Sequence, residues 1–116
     1  MGYEDILKLP PIVLLEWLNG EFTVNIPTEI ATAEDMEEAS KYLLKLTSYY
    51  SYLCSLLSYA KIKVRESKRT ETKAVYEDMI DRRDAIDMVA KSVLQQYNAI
   101  SRAVTIHIEN NREIRM

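Results

Sequence analysis

The sequence predicts an all-α fold, a long antiparallel helical hairpin with a short N-terminal helix and an extended segment packed on it. Three observations carry this expectation. Both glycines and all three prolines lie at or before Pro27, so the 89 residues from Thr28 onward hold no strong helix breaker. Between Tyr42 and Ala60, nineteen residues carry one charge, Lys45, which suits a helix surrounded by protein. Two stretches of similar length repeat apolar residues at spacings of three and four, the seam spacing of packed helices, across a short polar link. At 116 residues and 47% hydrophobic, the chain suits one domain with a modest core. Residues 1–31 form an N-terminal arm, 32–66 the first long helix and 73–108 the second.

Taken in order, Ile12–Leu18 reads as a short helix with Pro11 in its first turn, stopped by Asn19-Gly20. Glu21–Ile26 alternates apolar and polar residues, the pattern of an extended strand-like piece, and Pro27 ends it. Thr32 is placed to cap a helix, and Glu34, Asp35, Glu37 and Glu38 suit the positive end of its dipole. That helix carries three stripes. Leu43, Leu46, Tyr50, Leu53, Leu57, Ala60 and Val64 form the seam. Tyr49, Tyr52, Leu56 and Tyr59 form a second face, and Ser48, Ser51, Ser55 and Ser58 a third.

Ser67–Thr72 reads as the link. The second helix carries Val75, Met79, Ile86, Ala90, Val93, Tyr97, Ile100 and Val104 on its seam, with Arg82 or Arg83 interrupting. Val104–Ile108 has two readings. Ile100, Val104 and Ile108 share one helical face, whereas the β-branched alternation would let the segment pair with Phe22-Thr23-Val24 in a small two-stranded β ribbon. The residues from Asn110 onward read as a fraying tail.

Composition argues against several classes of function. One cysteine precludes an internal disulfide and suits a cytoplasmic location. The start, MGYEDILKLPP, has acids where a secretory signal needs bases, and Ile6 breaks the myristoylation pattern. The low-charge stretch contains four serines, a threonine, a lysine and five tyrosines, so a buried helix is expected there and not a membrane span. No catalytic constellation is apparent. Cys54 and His107 stand 53 positions apart, and a cysteine on a helical seam ordinarily fills a core. Asp78, Asp81, Asp84 and Asp87 drift round a helix at three-residue spacing and read as a solvated face pairing with Arg82, Arg83 and Lys91. Zinc, calcium and phosphate-loop spacings are absent, so no metal, cofactor or small-molecule substrate is expected, and no enzyme activity.

Two features point to binding. Residues 1–40 carry nine acids against Lys8 alone, whereas residues 41–73 carry eight bases against Glu66 and Glu71. Lys61, Lys63, Arg65, Lys68, Arg69 and Lys73 cluster at the expected hairpin tip, as a phosphate backbone requires, and Tyr59 is a candidate stacking face for a base. The plainer reading is a helix end whose bases suit the negative dipole. Tyr49, Tyr52, Leu56 and Tyr59 are candidates for a protein interface, most simply in a homo-oligomer; the competing reading packs them under Trp17, Phe22 and Ile26 of the same chain.

An acidic start (Glu4-Asp5), Ala39-Ser40-Lys41-Tyr42-Leu43 opening a long helix, the basic Lys61–Lys73 stretch, and a final helix with Gln95-Gln96-Tyr97 together give a layout. It resembles that of phage recombination mediators of the UvsY type, over about residues 35–110 and without a diagnostic motif. The resemblance implies a ring-like oligomer that holds single-stranded DNA. The expectation is therefore a nonenzymatic, self-associating accessory protein of phage or mobile-element origin that binds nucleic acid. The alternative is a protein-binding inhibitor, such as an anti-CRISPR-like protein, acting on a host or phage protein through acidic residues 29–38 or the tyrosine face.

Overall fold

Among the described residues, the computed structural model holds four helices, α1 (Tyr3–Ile6), α2 (Pro11–Phe22), α3 (Ala33–Thr70) and α4 (Lys73–Arg115). It describes residues 1–24, 30 and 32–115, the last three by backbone alone. The molecule is a rod of 66 × 20 × 18 Å, built from α3 and α4 packed along each other.

α3 starts where the sequence places it. The Thr32 hydroxyl accepts from the Asp35 N–H at 3.1 Å, and the Asp35 carboxylate accepts from the Thr32 N–H at 3.1 Å, so two backbone donors at the helix start are satisfied reciprocally. Its end lies beyond the expected boundary at Glu66. Thr70 bonds back to the Glu66 carbonyl at 2.9 Å, Lys68 and Arg69 occupy the last turn, and the helix closes at Glu71, which is extended. The link is thus shorter than Ser67–Thr72. Thr72 begins the next helix, its hydroxyl accepting from the Val75 N–H at 3.4 Å.

α4 runs continuously through the segment that had two readings. Thr105 donates to the Ser101 carbonyl at 3.0 Å, and Val104 packs on the core. The small β ribbon is therefore not formed: Val104–Ile108 is helical, and Phe22 ends α2, so neither proposed strand is extended in full. Thr23 and Val24 follow in non-helical backbone, and the rest of the expected strand, residues 25–26, lies outside the described residues.

The arm also departs from expectation in detail. A single turn, α1, precedes the expected helix, and α2 continues past Asn19-Gly20 to Phe22. Gly20 keeps a negative φ with open space around its Cα, so nothing there forces a stop. Thr23 donates to the Asn19 carbonyl and closes the helix.

The core joins all the helices. Ile6, Leu14 and Leu18 from the arm meet Leu46, Leu53, Leu56, Ala60 and Val64 from α3, with Met79, Ile86, Ala90, Val93 and Ile100 from α4. The α3 seam is as expected, with Leu43, Tyr50 and Leu57 half-buried at its edge. On α4, Val75 near the tip is 42% exposed, so the buried part of that seam starts at Met79. Arg82, which interrupts the seam, donates through Nε to the Leu9 carbonyl at 2.8 Å and so ties the α1–α2 link to α4.

Leu53 is fully buried between the long helices, whereas Leu44, nine residues earlier, is 74% exposed. Leu53→Ala is expected to cost about 2–5 kcal/mol in urea denaturation. Leu44→Ala in dilute solution should stay within about 0.5 kcal/mol of the wild type.

Candidate nucleic-acid interface

The six basic residues named from sequence do not form one patch. At roughly 100° per residue, Lys61, Arg65, Lys68 and Arg69 fall within a sector of about 100° on the last turns of α3. All four are exposed, and none has an ion pair among the described residues. Lys63 points to the opposite side. Its ammonium lies 3.4 Å from the Glu66 carboxylate and 5.3 Å from the centre of the Tyr59 ring. The hydrogen bond to Glu66, aided by that carboxylate's charge, raises its pKa above the ordinary lysine value. Lys73 opens α4 and lies 3.9 Å from Glu77.

A groove of about 440 Å³ runs beside the four-residue sector, lined by Leu57, Lys61, Val64, Arg65, Arg83, Asp84 and Asp87. The sequence treats the α4 acids as a separate solvated face, and the fold brings two of them opposite the basic turns. Each already has a cation from its own helix: Arg83 reaches Asp84 at 3.0 Å, and Lys91 reaches Asp87 at 2.8 Å. Lys61 and Arg65 therefore have no ion-pair partner among the described residues, and Arg83, held by Asp84, lines the same groove. Sequence spacing alone does not reveal that contribution, because it depends on how α4 is rotated against α3.

The tyrosine stripe is brought together, but under the chain's own arm. Tyr3 lies edge-on to Tyr52 with ring centres 5.7 Å apart, and 5.6 Å from Tyr59. Phe22 stacks on Tyr52 at 5.6 Å and meets Tyr49 edge-on at 5.0 Å, while Leu56 is fully buried. On the residues expected to meet another subunit, the contacts seen are thus intramolecular. Tyr59 is also held: it lies between Tyr3 and Lys63, with its hydroxyl donating to Glu4 at 3.5 Å, so a base stacking on the ring would have to displace one of them. The serine stripe, by contrast, faces solvent throughout. Cys54 is half-buried beside Tyr50, and no group of three or more His, Cys, Asp or Glu residues is arranged to hold a metal ion among the described residues.

Burial, with the neighbouring Tyr3 adding to it, pushes the Tyr52 hydroxyl above its ordinary value of 10.0. A folded-state pKa above the unfolded one contributes stability below about pH 10 and loses it as the pH rises through the folded value. Unfolding titrations should show stability falling above pH 10, and Tyr52→Phe should reduce that fall; an unchanged profile would place the titration elsewhere. No protein-family model, curated protein or solved structure matches the chain.

Proposed function

We propose that the protein is a nonenzymatic, self-associating helical accessory protein that binds nucleic acid through the C-terminal turns of α3. The observation that carries this reading is the sector of Lys61, Arg65, Lys68 and Arg69, four exposed cations without ion-pair partners among the described residues. Phosphates binding there release counterions without first breaking an internal salt bridge. Lys63 and Lys73 are secondary, since each would have to leave a carboxylate. The phage or mobile-element setting, suggested by the layout shared with recombination mediators, fits the same role. A second reading, an inhibitor acting through acidic residues, draws on the exposed Glu34, Glu37 and Glu38 at the other end of α3. It requires a protein partner and no affinity for nucleic acid.

Fluorescence anisotropy with a labelled single-stranded oligonucleotide across a salt series tests the first reading. Four phosphate contacts give a slope of log Kobs against log salt of about −3, from roughly −0.7 per contact on single strands. Lys68→Gln with Arg69→Gln should reduce that slope by about 1.4 by the same scaling. Absence of binding at low salt, or binding indifferent to both substitutions, overturns the proposal.

A further inference from the structure

One face of α3 stays uncovered along most of the helix. From Glu37 to Arg69 it places ten exposed residues at alternating spacings of four and three, including Leu44 at 74% exposure and Ile62 at 51%. α4 takes the seam and the arm takes the tyrosine face, and they approach this third face only at its edges, α4 beside Arg65 and the arm beside Ser48. It lies roughly 100° round the helix from the tyrosines and about 160° from the seam.

The face has an internal symmetry. Pairing each position with the one equidistant across Leu53 sets Ser51 against Ser55, Ser48 against Ser58 and Leu44 against Ile62. Further out, Glu37 meets Arg69. We propose that this face binds a second copy of the chain, antiparallel, about a two-fold axis at the level of Leu53.

Charge selects the orientation. A parallel pair would set Glu37 on Glu37 and Arg69 on Arg69, whereas the antiparallel pair sets each acid on a base. Lys41 and Arg65 share a level in the antiparallel pair but lie on opposite edges of the face, and Lys41 there adjoins Glu66 of the other copy. A shallow depression of about 280 Å³ lined by Ile62, Arg65, Glu66, Arg69 and Thr70 lies where the other copy's Leu44 and Glu37 would arrive. The serines between are small enough for helix axes to approach at the close end of the roughly 8–10 Å range. Ser58 already donates to the Cys54 carbonyl at 3.0 Å, so its hydroxyl needs no partner across the interface. About ten positions per copy fall short of the roughly 20–30 of a standard interface, so the dimer should be concentration-dependent.

Assembly in this register keeps Lys61 and Lys68 out of the seam and leaves Arg65 at its edge, while Arg69 is taken up by Glu37 of the other copy. The two-fold axis puts Lys61, Arg65 and Lys68 of both copies on one flank, about 36 Å apart at about 1.5 Å per residue. A polyanion lying along that flank would meet both sets, a consequence that rests on the nucleic-acid reading. The dimer itself does not, and its test contains no nucleic acid.

Sedimentation over a concentration series should show the wild type passing from monomer to dimer. Glu37→Arg alone and Arg69→Glu alone should each remain monomeric, because each creates a like-charge pair at both ends. Mixing the two restores both opposite-charge pairs and should restore the dimer. In a Cys54→Ala background, Leu44→Cys and Ile62→Cys proteins should form a disulfide dimer only when mixed. Like positions lie about 27 Å apart in this arrangement, at about 1.5 Å per residue. A wild type that stays monomeric, a charge-swapped mixture that does not associate, or Leu44→Cys protein that crosslinks to itself would each overturn the proposal.

Discussion

The structure depends on covering two apolar faces of α3. A helix of 38 residues with so little charge in its middle gains its stability from packing. α4 supplies the first cover, burying Leu46, Leu53, Ala60 and Val64 against its own Ile86, Ala90 and Val93. The arm supplies the second, laying Tyr3 and Phe22 on the tyrosines and sending Ile6, Leu14 and Leu18 into the core. Arg82 then closes the assembly by holding the Leu9 carbonyl, so the arm is fastened to α4 as well as to α3.

Charge follows the same axis. Acids at the start of α3 and bases at its end both match the dipole of the helix that carries them. At the basic end, Lys61, Arg65 and Arg69 stand four residues apart, an arrangement in which like charges repel by a few tenths of a kcal/mol per pair. Glu66 is engaged by Lys63 on the other side of the helix. The sector is therefore left with its charge exposed, and that excess underlies the proposed binding. The tip is held by hydroxyls in place of glycine or proline: Thr70 closes one helix and Thr72 opens the next.

Much of this arrangement is legible along the chain. The hairpin follows from periodicity, and the start of α3 from Thr32 and Asp35, because both depend on neighbours within a turn or two. Helix ends are less legible. Serine and threonine can bond back to the preceding turn, so Ser67–Thr72 reads as a link when most of it is helix, and the β-branched alternation of Val104–Ile108 admits a strand reading beside the helical one. The basic cluster is visible as composition, but its division into four free cations and two engaged ones required knowing which side of α3 each occupies.

By itself the sequence determined the all-α class, the two seams and the segregation of charge, since each is a property of spacing on a single helix. Only the tertiary structure decided which of the three faces of α3 is filled from within. The tyrosine and serine stripes are both uncharged and regularly spaced, and nothing local distinguishes a face waiting for the chain's own arm from one left to solvent. The reach of α1 and α2 settles it: Tyr3 and Phe22 land on the tyrosines, and the serine face remains open.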